Sequence, residues 1–303
     1  LIYIADMDMW VRNMKVYGYA DDTASSVHSP DIENVIAELE SDGVNMLRFM
    51  ASNGLVANPD KTGLLVIRAH GVAQDLRSVT LGGKVVTETT THKVLGLTIN
   101  NKLTWDDHVR GKGGLVSSLN KKLGAIRRLS YHVPSLYMTV ITKAILVSKI
   151  RYGLGVYGAI RLSENDPRRG MMDELQVILN NAMRLITRKR LSDKVKVEYL
   201  SEKTGIESVN RMVAEEQVRI VWSARNNADS PLSELFDCAA VGSTRACTRG
   251  DLVTSAQTNM ARQNLPHTAI VTWNHTDDPL RSAENRREAK IKTLEFISSL
   301  PFR

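Results

Sequence analysis

Apolar residues recur at helical spacing over long stretches of this chain and at strand spacing only over short ones. Ser29-Pro30 supplies a cap and a first-turn proline, after which Ile32, Val35, Ile36 and Leu39 form one stripe. Gly43 is expected to loosen that helix before Met46, Leu47 and Met50 resume the stripe, and Asn53-Gly54 stops it. Leu64 to Ile67 has the length of a short strand, Val79 to Thr87 reads as a hairpin turning at Gly82-Gly83, and Val94 to Ile99 reads as a further strand. From about residue 106 the period becomes helical again. Leu115, Leu119, Leu123 and Ile126 share a face; a buried helix follows around Val140, Ile141, Ala144, Ile145 and Val147; Glu174–Ile186 and Val209–Val221 repeat the pattern. Gly153 to Gly158 allows close helix packing. The expected class is α+β: one helix covering a small antiparallel sheet, followed by a mainly helical region. Beyond about residue 223, Ser230-Pro231, Gly242-Ser243 and Thr248-Arg249-Gly250 read as loops and Arg281 to Lys292 as a charged helix.

Composition changes this picture little until charge is located. The chain has 303 residues, 43% hydrophobic and 24% charged, ordinary values for a globular protein with room for two cores. No apolar run reaches the length of a membrane span, and the first residues lack a basic-then-apolar secretion pattern. Cys238 and Cys247 are spaced for neither a zinc ribbon nor a disulfide framework, so two reduced thiols in an intracellular protein are expected. There is no internal repeat. The net charge of +7 is concentrated: between Val109 and Ser163 stand ten Lys and Arg and no Asp or Glu, which leaves −3 for the rest. The cations are Arg110, Lys112, Lys121, Lys122, Arg127, Arg128, Lys143, Lys149, Arg151 and Arg161. A solvated basic helix face normally carries acids too. Their absence over this length points to a polyanionic partner, with Lys112, Lys121, Lys122 and Arg128 lying largely off the apolar stripe.

The candidate chemistry begins at Tyr17-Gly18-Tyr19-Ala20-Asp21-Asp22-Thr23, where two adjacent acids interrupt strand-forming and small residues. Two such charges about 4 Å apart repel by roughly 4 kcal/mol at an effective dielectric near 20, so a site holding both ionised wants a cation. Magnesium, an oxygen-seeking ion held by one or two carboxylates plus substrate phosphates, meets that need. On a strand the two side chains would point to opposite faces, whereas on a tight turn both reach one cleft. The same four residues also read as an ordinary surface turn, since Asp favours turn positions. Asp106, Asp107 and His108 form a second acidic cluster; nothing else supplies a converging metal-ligand pair, and acids are favoured at a helix start, which is the reading adopted.

Tyr19-Ala20-Asp21-Asp22 resembles the metal-binding hairpin of reverse transcriptases, specifically those of non-LTR (LINE-type) retrotransposons. Further stretches extend the resemblance in that family's order. Leu47-Arg48-Phe49 with Asn53 to Thr62 resembles the palm helix that ends in a lysine-bearing turn. His92-Lys93-Val94-Leu95-Gly96-Leu97 resembles the primer grip. Leu103-Thr104-Trp105 with His108 resembles the start of the thumb, and Tyr152-Gly153 with Val156-Tyr157-Gly158 a later thumb signature. Order and spacing over residues 1 to 160 carry the likeness; no single motif would.

The resemblance implies a partial palm over 1–105, a helical basic thumb over 106–222 and a region of unread structure over 223–303. It implies RNA-directed DNA polymerisation with Mg2+ (or Mn2+), an RNA template, a DNA primer and a dNTP. The metal ligands are then Asp21 and Asp22, with Lys61 donating a proton to leaving pyrophosphate. Tyr19, Leu95, Gly96 and Leu97 would contact the nucleic acid at the hairpins, and Lys112, Lys121, Lys122, Arg127 and Arg128 its backbone. The family's site takes another aspartate from an earlier palm strand. Only Asp6 and Asp8 precede Tyr19 here, and both read as surface acids, so the chain is expected to be a fragment that needs upstream fingers and palm of a polyprotein. No membrane partner is expected, and the resemblance places the protein inside the cell, in nuclear and cytoplasmic ribonucleoprotein. Two other readings stay open: a non-catalytic nucleic-acid-binding remnant, and a structural or protein-interaction domain.

Overall fold

The computed structural model describes residues 6–58, 61–68, 75–160, 168–227, 229–236, 251–252, 265–276 and 278–300. Cys238, Cys247, Pro59, Asp60, Arg161, Gly242-Ser243 and Thr248 to Gly250 lie outside them. The protein is α+β, and its chain divides into two compact units, Leu1–Thr104 and Trp105–Arg303.

The first unit is built on α1 (Ile32–Ser52). Its cap is Asp31, whose Oδ1 accepts from the Glu33 N–H at 3.1 Å, so the helix begins just past Ser29-Pro30. It runs unbroken through Gly43. That glycine is a contact point instead of a weak point, because a Cβ there would collide with the Leu81 side chain. Leu81 ends β3 (Ser78–Leu81), which pairs with β4 (Lys84–Thr87) through a turn at Gly82-Gly83, both at positive φ as such two-residue turns require. Thr80 N–H donates to Glu40 Oε1 at 2.6 Å and Arg77 pairs with Glu33 at 2.7 Å, which fastens β3 along α1.

Two strand expectations differ from the structure. Leu64 to Ile67 makes one parallel bridge, Leu64 to Glu88, and no ladder among the described residues. An ion pair organises that segment: Arg68, nearly buried, meets both Glu88 oxygens at 2.5 and 2.7 Å, while the Arg77 N–H donates to the same carboxylate. The expected strand Val94–Ile99 folds back on itself as β5 (Thr91–Val94) and β6 (Leu97–Asn100), because Leu95 and Gly96 both take positive φ. With β1 (Lys15–Tyr19) and β2 (Asp22–Ser26), the described strands form three separate two-stranded hairpins, not one sheet.

The second unit is helical. α2 (Asp106–Val109) starts at the expected acids but lasts one turn, since Gly111, Gly113 and Gly114 follow and Gly113 sits at φ +76°. α3 (Leu115–Leu129) buries Leu115, Leu119, Leu123 and Ile126 and packs on α7 (Arg169–Thr187), whose Met171, Leu175, Ile178, Ala182 and Ile186 face inward. Between them run α4 (Ser135–Thr142), a π-turn (Lys143–Val147), α5 (Ser148–Arg151) and α6 (Leu154–Tyr157). After α8 (Val197–Thr204), α9 (Val209–Arg225) is the centre of the unit, touched by α6, α7, α10 (Leu265–Asn274) and α12 (Arg286–Ser299); α11 (Asp278–Arg281) packs on α12.

Close approach to α9 depends on two glycines. A Cβ at Gly155 would lie 2.7 Å from Ile220 Cδ1, and one at Gly158 2.5 Å from the Leu154 carbonyl and 2.7 Å from Val213 Cγ2. Gln217, fully buried on α9, joins three elements: its amide donates to the Gly158 carbonyl and Thr268 Oγ1 at 3.1 Å each, and its oxygen accepts from Thr272 Oγ1 at 2.5 Å. Arg211 closes the other end by donating to the Ser298 and Leu300 carbonyls at the end of α12, where a helix leaves acceptors unsatisfied. No helix among the described residues is long and apolar enough to cross a membrane.

Candidate functional site

The acidic hairpin is a tight one. Tyr19 pairs with Asp22, so Ala20 and Asp21 alone make the turn. Ala20 takes φ +54°, a left-handed conformation that costs a non-glycine residue about 1–2 kcal/mol. Cross-strand partners share a face, so Asp22 lies beside Tyr19 and Tyr17 on the outer face, while Val16 and Thr23 are half-buried on the inner one. Both acids are exposed, and neither carboxylate bonds to another described residue. Tyr19 is 68% exposed.

What holds this hairpin in place is an aspartate that sequence reasoning missed. Asp42, 1% exposed in the middle of α1, accepts at Oδ2 from the backbone N–H groups of Arg12, Asn13 and Met14, at 3.0, 2.6 and 3.0 Å. The next residue is Lys15, the first of β1. Burial acts against ionisation of Asp42, but the three N–H donors and the nearby Arg12 charge outweigh it, and its carboxyl lies below the usual range. Trp10 packs on Phe49, two turns along the same face of α1, with ring centroids 5.7 Å apart. In a sequence, an acid in a long helix looks like solvated surface, and only an unusual demand from neighbouring backbone marks it otherwise.

Lys61 is exposed in a turn closed by its own N–H on the Asn58 carbonyl at 3.1 Å. Two residues on, Gly63 lies flat against the His92 ring, where a Cβ would collide with Nδ1. The loop of Lys61 is thereby seated on β5, and the β5–β6 turn presents Leu95, 42% exposed, with Gly96 and half-buried Leu97. The structure thus brings Asp21 to Asp22 and the Lys61 loop to the Leu95-Gly96 hairpin. Among the described residues no group of three or more His, Cys, Asp or Glu is arranged to hold a metal.

In the second unit, Lys121, Arg127 and Arg128 are exposed on α3, Lys122 is half-buried, and Lys112 stands exposed in the Gly111–Gly114 loop. None of these five pairs with a described acid. Two other cations of the basic block are committed internally. Arg110 bridges Asp106 at 3.2 Å and Glu174 at 2.7 Å, and Arg151 meets Glu215 at 2.6 Å and Glu216 at 3.3 Å. A second basic surface follows α7: Arg188, Lys189, Arg190, Lys194 and Lys196 are exposed, and Asp193, the one acid among them, accepts from the Arg190 N–H at 2.9 Å. The density of cations from 184 to 196 was its signal in the sequence. His108 belongs to packing, its ring buried 5.1 Å from Tyr157 and 6.3 Å from Trp105.

Comparison with protein-family models, with curated proteins and with solved structures finds no match to this chain.

Proposed function

We propose that this chain is the palm remainder and thumb of a non-LTR retrotransposon reverse transcriptase, an RNA-directed DNA polymerase. The observation that carries the reading is the hairpin: a two-residue turn with both Asp21 and Asp22 exposed, held from below by Asp42. Its chain-order sequel supports it, namely the Lys61 turn seated on the Leu95-Gly96 hairpin and then an acid-free block of basic helices.

The donor set fits Mg2+, or Mn2+, in kind: two carboxylates free of protein partners among the described residues, open to solvent where a substrate can approach. Asp21 would be the direct ligand and Asp22 its neighbour. When bound, such ions act as Lewis acids that stabilise charge on the attacking and leaving oxygens. The protein's own part is positioning. Tyr19 and Ala20 would flank the primer end, and Ala20 is small enough to admit it. Leu95, Gly96 and Leu97 would hold the primer strand near its terminus, and Lys61 would give a proton to pyrophosphate as it leaves. Lys112, Lys121, Lys122, Arg127 and Arg128 would neutralise backbone phosphates without reading sequence. In this reading the partners are an RNA template, a DNA primer and dNTP, within intracellular ribonucleoprotein.

With two carboxylates where the reaction takes three, the chain would polymerise only when upstream palm and fingers are supplied. A second reading, a non-catalytic nucleic-acid-binding remnant, needs only the exposed cations Lys121, Arg127 and Arg128 of α3. Templated, Mg2+-dependent primer extension by the chain joined to those upstream elements separates the two. Asp21→Asn should abolish extension, and Asp8→Asn, at an exposed acid, should not.

A further inference from the structure

Helices α4 and α5 are one continuous rod from Ser135 to Arg151, joined through the π-turn Lys143–Val147. Its fully buried residues include Met138, Thr142, Leu146 and Ile150, spaced by four. At 3.6 residues per turn a row spaced by four rotates about 40° per step around a regular α-helix. The π-turn, closed by i to i+5 bonds, takes up the excess and keeps the row on one side. It does the same for the row Leu136, Val140, Ala144, Ser148 and Tyr152, every member of which is exposed. Beside that row stand Tyr137, Lys143 and Lys149, also exposed, and Tyr131 occupies the turn leading into the rod.

The side chains on this face are an unusual mixture. Tyr131 is 78% exposed, Leu136 74%, Val140 62% and Tyr137 60%. The cations beside them, Lys143 and Lys149, pair with no described acid, and no Asp or Glu occurs in the sequence from Val109 to Ile160. A surface of flat aromatic rings and lysines, with no acid, complements a polyanion whose units carry π-faces. It does not complement a duplex, whose bases are already stacked.

We infer that this face is a stacking platform for an unpaired nucleic-acid strand, with Tyr131 and Tyr137 against bases and Lys143 and Lys149 on phosphates. The inference rests on the nucleic-acid reading of the α3 cations and adds a second, single-stranded subsite to it. From Tyr137 to Lys149 the rod rises about 18 Å, room for about five nucleotides at the roughly 3.4 Å spacing of a stacked strand. Base–aromatic stacking tolerates any sequence, so the platform confers affinity without choice.

The test compares binding of labelled oligo(U) and of a blunt RNA–DNA hybrid to the full chain, for wild type, Tyr131→Ala, Tyr137→Ala, Tyr137→Phe and Lys121→Glu/Lys122→Glu. All substituted tyrosines are exposed, and circular dichroism checks the fold. Tyr131→Ala and Tyr137→Ala should each weaken oligo(U) about tenfold and leave the hybrid within about twofold, while Tyr137→Phe keeps both. Lys121→Glu/Lys122→Glu should weaken the hybrid. Oligo(U) binding indifferent to both alanine variants, with the hybrid still bound, would overturn the platform alone. Equal losses on both ligands, or poly-glutamate binding as tight as oligo(U), would also overturn it. Failure to bind either nucleic acid would overturn the nucleic-acid reading beneath it.

Discussion

Replacing Asp42 removes the side chain that holds the backbone just before β1 to α1, and the structure sets how much that should cost. Three backbone N–H groups converge on one carboxylate oxygen. Arg12 and Asn13 are exposed, so water can replace the carboxylate for their donors, and each loss is worth about 0.5–1 kcal/mol. Met14 is buried, and its N–H would be left without a partner at a cost of about 1–3 kcal/mol. Asp42→Ala should therefore destabilise the first unit by about 3 kcal/mol, a large part of a domain's usual 5–15 kcal/mol. Asp42→Asn keeps an acceptor without charge and should cost about half as much. The carboxyl's folded-state pKa is depressed, so its contribution is fully present above the unfolded value near 3.8 and fades as pH falls through the folded value below it. Urea unfolding at pH 7 and at pH 3 and below, with amide exchange at residues 12 to 14, reads both effects. The gap between wild type and Asp42→Asn should narrow on acidification. Wild-type stability in Asp42→Ala, or a gap that persists below the folded pKa, would refute the clamp.

Two further outcomes follow from packing. Gly63→Ala should cost about 1–3 kcal/mol through the His92 ring, and His92→Ala should relieve most of that, so a double-mutant cycle in urea would show strong coupling. Gln217→Leu should cost about 2 kcal/mol in the second unit by removing the side-chain donor to the Gly155 carbonyl and leaving the Thr272 hydroxyl only the Thr268 carbonyl, measured as a loss in thermal midpoint.

Long helical stripes were legible because each buries one face against a neighbour, as α3, α7 and α9 do. The acidic turn and the basic helix were legible because charge at those positions is unusual for their surroundings. Four features were hidden for physical reasons. Leu95 occupies a left-handed position that sequence assigns to glycine or asparagine, so a hairpin reads as one strand. Gly43 reads as a helix weakness when its purpose is the passage of Leu81. The π-turn leaves its trace in a spacing of four between Met138 and Ile150, too close to the α period to be seen in a short helix. Asp42 had no local signal, since its partners are backbone groups some 30 positions away.

The most direct measurement is extension of a DNA primer on a poly(rA) template with Mg2+, using the chain alone and the chain joined to upstream palm and fingers, each with and without Asp21→Asn. If Asp21 ligates the catalytic ion, only the longer version extends the primer, and Asp21→Asn abolishes that extension while primer–template binding persists. Extension that survives Asp21→Asn, or a longer version that binds primer and template and never extends, would contradict the polymerase assignment; in the second case the chain is a nucleic-acid-binding remnant.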